Sequence, residues 1–347
     1  MKKFLFFALA AAFAFTSCTK DETLATAHNG AIGFAVAADN ATRSYDPSIT
    51  TQNIKEKDFA VYGWMNDYTG VVFRDERVSY NGSGWTYTNT QYWVKDNNYY
   101  FAALAPRTGR TWTLTEAASN DEAKLGIGKV NFKNAGTQDL LYWAQGPIVG
   151  KASANPQVSI VFHHLLSKVK FTFANQFDNE NVSIVVRNIK INQHPSEAEI
   201  NLATANWWTN LKAWQYVEGQ EANYEFGNAV KAESAIDAED KIGQNEPLSS
   251  YNEVLLFPYE NQTFNITYDV DLYMGKEKAE TYAHEVSLTT TLKMGHAYNF
   301  KAAFNAENIT GDDDETLEPI IFTVEEVDAW IEGEGNEVVF EEPTTNK

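Results

Sequence analysis

The sequence predicts an all-β protein made of two tandem antiparallel β-sandwiches. Three observations carry that expectation. Apolar and polar residues alternate with period two in many short runs, aromatic residues make up 14% of the chain and concentrate in those runs, and no stretch sustains a helical period. Turn sequences separate the runs: Asn81-Gly82-Ser83-Gly84, Ala135-Gly136, Met274-Gly275-Lys276 and Gly311-Asp312. Many short strands divided by Gly and Asn turns are the signature of sandwiches.

In chain order, Lys2 and Lys3 precede an unbroken apolar run from Phe4 to Phe15. Its length suits the core of a secretory signal and falls short of the ~20 residues of a membrane span. Residues 1–17 are expected to be a signal peptide. Thr16 and Ser17 lead to Cys18, the only cysteine. Small residues before a cysteine resemble the lipidation box of bacterial lipoproteins, with Phe15 where Leu is usual. Thr19-Lys20-Asp21-Glu22 resembles the charged tag that directs lipoproteins of Bacteroidetes-type bacteria to the outer face of the outer membrane. These resemblances imply that Cys18 carries lipid and becomes the new N-terminus. A plain signal with an incidental cysteine is the alternative, although a lone thiol in an exported chain has no partner for a disulfide.

The strands follow. Ile32, Phe34 and Val36 alternate with Gly33, Ala35 and Ala37. Tyr99 to Leu104 is an apolar run closed by Pro106, and Val158 to Phe162 leads into Lys168 to Phe173, where Val169, Phe171 and Phe173 share a face. Further strands are expected over 182–191, 254–257, 264–273, 285–292, 298–304 and 320–324. Residues 207–217 are read as a short helix or a loop insertion. The boundary between sandwiches is sought within 164–178, giving 44–170 and 171–347 as the two units.

The net charge of −20 argues against nucleic acid as a partner, since phosphate binding needs clustered Lys and Arg. Catalytic motifs are not found: there is no nucleophile elbow, phosphate loop, dinucleotide fingerprint or zinc-protease helix motif. His163 and His164 are neighbours on a predicted strand, so their rings point to opposite faces and cannot chelate one metal together. Asp312-Asp313-Asp314-Glu315 lacks the ligand spacing of a calcium loop and reads as a solvated turn. Trp207, Trp208 and Trp214 either form a sugar-stacking platform or anchor a loop in the core. No cofactor, metal or catalytic residue is expected.

Three stretches together resemble the fimbrillin family, the pilin-like lipoproteins of type V fimbriae. The first is Phe59-Ala60-Val61-Tyr62-Gly63-Trp64, then Trp85-Thr86-Tyr87, Tyr92-Trp93, and Tyr99 to Pro106. The second is Asp139-Leu140-Leu141-Tyr142 followed by Phe162-His163-His164-Leu165-Leu166-Ser167-Lys168-Val169. The third is Leu292 to Phe300, followed by Phe322-Thr323-Val324 and Ala329-Trp330.

The resemblance implies two transthyretin-like sandwiches, export as a lipidated precursor, and proteolysis after a basic residue that removes the first strand. A strand from another subunit then fills the vacated groove. Carried onto this sequence, residues 18–43 become the lipidated leader, with Ile32, Phe34 and Val36 as the buried face of the removable strand. Cleavage falls between Arg43 and Ser44, unless Arg43 is an ordinary loop arginine. The donor would lie in the C-terminal segment, either at Ile320, Phe322 and Val324 or at Val338 and Phe340. A permanent last strand has the same pattern as the first of these, and would suit a non-polymerising anchor or tip. The implied setting is the cell surface, the outer membrane and the fimbrium. The implied partners are other fimbrial subunits, outer-membrane lipid through Cys18, and a host or bacterial surface receptor. A surface glycan-binding lipoprotein is the alternative.

Overall fold

The structure is a computed structural model that describes residues 30–38, 53–66, 70–117, 126–150, 157–204, 210, 212–229, 241–310 and 319–327. It is all-β, as the alternation predicts. The described residues form twenty strands in four sheets, with one four-residue helix, α1 (Ala306–Ile309), and a 3-10 turn at Ile54–Glu56.

The largest sheet has seven strands in the order β1 (Gly33–Ala38), β9 (Gln157–His164), β8 (Leu141–Val149), β5 (Asn98–Ala105), β2 (Asp58–Met65), β3 (Gly70–Tyr80) and β4 (Trp85–Thr86). Its central strands are buried on both faces, which is why β2 and β5 read as nearly continuous apolar runs. Phe59, Val61, Phe101 and Ala103 enter one core, which Ile32, Phe34, Ile160 and Phe162 complete. Ala60, Tyr62, Ala102 and Leu104 face the other way into a second core.

That second core is roofed by a small sheet, β13 (Trp214–Tyr216), β12 (Glu197–Asn201), β7 (Gly128–Lys133) and β6 (Trp112–Glu116). The third core lies between two further sheets. One contains β15 (Pro247–Ser249), β10 (Ser167–Asn175), β19 (Ala297–Phe304) and β20 (Thr323–Val327), with β16 (Val254–Leu256) also on β10. The other contains β14 (Glu221–Ala229), β11 (Val182–Pro195), β17 (Tyr259–Met274) and β18 (Glu277–Leu292).

The structure adds three features to the sequence expectation. Two pairings are parallel, β1 with β9 and β10 with β19, in an otherwise antiparallel set. Residues 214–216 form a strand paired to β12 where a helix or loop insertion was expected. The boundary expected at 170/171 falls inside β10, and β12, from beyond it, pairs with β7, from before it. No polar linker marks this region because Leu165 and Leu166 are buried in the second core.

A buried histidine gives the third core a pH dependence. His194, on β11, stacks on Phe264 at 5.1 Å, and its Nδ1 lies 3.2 Å from the Gln262 amide nitrogen. Burial drives its pKa down to about 3. The unfolded chain takes up a proton near pH 6.5 that the folded chain refuses, so stability is full above that pH. It is lost by about 1.4 kcal/mol per unit as pH falls from 6.5 toward 3. In His194→Asn, whose Oδ1 replaces Nδ1 as acceptor, the acid limb of urea-unfolding free energy between pH 6.5 and 4 is expected to flatten. An unchanged slope would assign the acid sensitivity to other groups.

Candidate assembly site

β1 occupies a seat with two walls. On one side it runs parallel to β9, with Phe34 opposite Val158, Ala35 opposite Ser159 and Val36 opposite Ile160. On the other side the segment Gln91–Trp93 holds its start: Ile32 N–H donates to Gln91 O at 2.8 Å, and Trp93 N–H donates to Gly30 O at 3.0 Å. The Tyr87 hydroxyl donates to Ile32 O at 2.7 Å. Burial pushes the Tyr87 phenol pKa up, which keeps that hydroxyl a donor. β1 also packs beside β4, so the seven-stranded sheet curls back toward its first strand.

The inward side chains are those the alternation names. Ile32 is 1% exposed and Phe34 3%, while Val36 is half-buried at the rim. The Phe34 ring meets Phe59, Phe73 and Tyr87 at centroid distances of 6.4, 5.8 and 5.6 Å. Removing β1 would uncover this apolar floor and free the β9 edge from Gln157 to Phe162, because β9 has only Leu141 and Tyr142 of β8 as register partners, at His164 and His163. An apolar groove beside an unpaired strand edge is a receptor for an extended segment with alternating apolar residues.

The remaining candidates lie elsewhere. Phe322 packs in the third core against Phe171 at 5.8 Å and Tyr268 at 6.0 Å, with Ile320 and Val324 half-buried beside it. β20 begins at Thr323, later than the strand expected over 320–324, and pairs antiparallel with β19. Trp214 is 2% exposed; its indole N–H donates to Leu165 O at 3.0 Å and its ring lies 4.8 Å from Phe257, so it offers no face to a sugar. His163 and His164 point to opposite faces, and His164 Nδ1 sits 2.8 Å from Asp139 Oδ2 in the interior. No metal-holding cluster is found among the described residues. Cys18, Arg43, Ser44, Trp207, Trp208, Val338 and Phe340 lie outside the described residues. Sequence reasoning missed Tyr87, Gln91 and Trp93 as the second wall; their only signal is an aromatic hairpin without alternation.

A family model described as fimbrillin-like matches residues 42–319. The chain belongs to the fimbrillin-like family. The match in this fimbrillin-like chain begins beyond β1 and stops short of Ile320. Comparison with curated proteins returns no match. Among solved structures, a Bacteroides ovatus protein provisionally described as a cell adhesion protein shares the fold. It is 14% identical, with a TM-score of 0.51 over 88% of this chain and 99% of that one. A Bacteroides uniformis protein described in the same way is 12% identical, with a TM-score of 0.46 over 87% of this chain and 99% of its own. The fimbrial anchor protein Mfa2 of Porphyromonas gingivalis is 10% identical, with a TM-score of 0.34 over 86% and 97%. At those scores the last two add nothing to the fold assignment.

Proposed function

We propose that this protein is a polymerising structural subunit of a cell-surface fimbria. In this scheme it is exported as a precursor lipidated at Cys18 and anchored in the outer membrane, cut after Arg43, and assembled when a C-terminal strand of another subunit replaces β1. Its two working halves meet at Leu165 and Leu166, between β9 and β10, a few residues ahead of the 170/171 boundary expected from the sequence. The observation that carries the proposal is the two-walled seat of β1, a strand that precedes Arg43 in the chain, pairs with β9 on one side and is bonded to Gln91–Trp93 on the other. Burying Ile32, Phe34 and Val36 contributes on the order of 5 to 8 kcal/mol before ordering costs, so a vacated seat strongly favours refilling. Family membership supports a role in fimbriae and adhesion and, with it, a non-enzymatic one.

A non-polymerising anchor or tip is the second reading, favoured by the burial of Phe322 in its own third core. Such a subunit would keep its lipid. The deciding measurement is intact mass and N-terminal sequencing of protein from washed cell surfaces, with electrophoresis before and after boiling. The expected result is a start at Ser44 in multimers that survive mild detergent and collapse on boiling. A monomer that begins at lipidated Cys18 would overturn polymerisation and leave the anchor.

A further inference from the structure

Charge is divided unevenly along this chain. Residues 44–164 hold eleven basic and eleven acidic side chains and are neutral, whereas residues 165–347 hold 12 basic and 33 acidic ones and carry −21. The dividing point is the joint at Leu165. Arginine is divided as sharply: of the six in the chain, Arg74, Arg77, Arg107 and Arg110 crowd into one short stretch of the neutral half.

The fold gathers those four into one patch. Arg74 and Arg77 stand on β3, and Arg107 and Arg110 on the turn from β5 to β6. Asp75 ties the two pairs together, accepting from Arg107 Nε at 3.1 Å and from Arg110 Nη1 and Nη2 at 2.8 and 3.2 Å. Arg110 also lies over the Trp112 ring at 4.3 Å. Arg77 Nε donates to Asp58, which accepts from Thr108 as well, and Arg74 Nη2 donates to Glu116 at 3.1 Å. Glu76 turns away to Thr88 and Asn89, so three carboxylates hold four guanidiniums. Arg77 and Arg107 are held through Nε alone and Arg74 through one terminal nitrogen, so their other donors meet no acceptor among the described residues. Fixed guanidinium forks with spare donors are suited to carboxylates.

We infer that this patch receives the acidic run Asp312-Asp313-Asp314-Glu315 of a second copy. The run is the densest block of charge in the chain, four consecutive carboxylates with Glu318 close behind. Of the possible contacts between two copies, residues 165–347 against their own kind set −21 against −21, and residues 44–164 against their own kind join two neutral surfaces. Patch against run is the pairing that joins opposite charges. The two surfaces belong to different halves, so the contact is head to tail. It leaves a free patch at one end and a free run at the other, and therefore propagates into an open chain. No strand has to leave its seat for this contact, so it stands apart from strand replacement and serves to orient and speed the encounter of copies.

The test uses the precursor kept uncut by Arg43→Ala, in which β1 stays seated. Sedimentation in detergent at about 20 mM salt is expected to show oligomers, with association about tenfold weaker at about 300 mM, because exposed charges are screened. Arg74→Glu with Arg107→Glu, and separately Asp312→Lys with Asp313→Lys and Asp314→Lys, should each give monomers. An equal mixture of the two charge-reversed chains should associate again, since each patch then faces the other chain's run. The milder Arg74→Gln with Arg107→Gln should lose association while keeping the parent's midpoint of unfolding in urea, which separates loss of contact from loss of fold. Oligomers from either charge-reversed chain alone, a mixture that stays monomeric, or a monomeric parent at low salt would overturn the assignment. So would binding of dextran sulfate by the patch with self-association untouched by the lysine substitutions, which would give the patch to a sulfated polysaccharide. Ladder formation by the chain cut after Arg43 is read separately, so failure of either reading leaves the other standing.

Discussion

Phe34→Ala is expected to lower the stability of the uncut precursor by about 3 to 5 kcal/mol, the range for truncating a fully buried aromatic side chain. The effect should reach beyond β1. Phe34 packs on Phe59, Phe73 and Tyr87, so one truncation opens a void against β2, β3 and the Tyr87 segment, and Phe59, which meets Trp85 and Phe162 at 5.2 and 5.4 Å, passes the loosening on to β4 and β9. The substitution separates two states of one polypeptide. In a chain cut after Arg43, residue 34 has left with the leader, and assembly of the surviving subunits should match the wild type. Urea unfolding of the precursor, beside ladder formation by the processed chain, reads both halves of the prediction. An equal defect before and after cutting would mean that β1 stays with the fold.

Gly128→Ala is expected to destabilise the protein by roughly 3 kcal/mol, through backbone strain and overpacking together. Gly128 opens β7 at φ +120°, and a Cβ there would stand 2.3 Å from Thr115 O and 2.6 Å from Ala117 N, backbone atoms that cannot step aside. Its carbonyl also accepts Leu202 N–H at 2.8 Å, so distortion on the β6 side passes to β12. Gly82 is the control: its φ is +95° but nothing lies within 4 Å of an added Cβ, so Gly82→Ala should show strain alone, about 1 kcal/mol. Chemical denaturation of the two variants checks the difference. Equal midpoints would show that the small sheet yields to a methyl group.

The elements legible in the sequence are those with strict alternation and those, like β5, whose burial on both faces gives a short apolar run ended by a breaker such as Pro106. β9 alternates strictly, as do Ile32, Phe34 and Val36, and the turn at Met274-Gly275-Lys276 was read where β17 meets β18. What the sequence hid depends on partners far along the chain. The small sheet pairs residues 128–133 with 197–201 through short strands whose pattern says nothing of their neighbours. Trp214 looked the same as a binding-platform aromatic or a core one, because only the position of Phe257 and Leu165 distinguishes the two. The seat was half legible for the same reason: its occupant alternates, whereas its second wall is an irregular stretch recognised by its backbone bonds to Gly30 and Ile32.

The small sheet also bears on how a fibre would carry tension. In the proposed filament, a subunit would be pulled through its β1 seat at one end and its C-terminal segment at the other, and the load would pass through β9 and β10, which are joined in sequence by Leu165 and Leu166. A two-residue joint alone would let the halves swing apart under load. The antiparallel register of β12 on β7, five residues long, bridges the same halves a second time, so elongation must shear a ladder as well as straighten a hinge. A filament of such subunits would therefore resist stretching within each subunit, leaving the seat between copies as the place where extension begins.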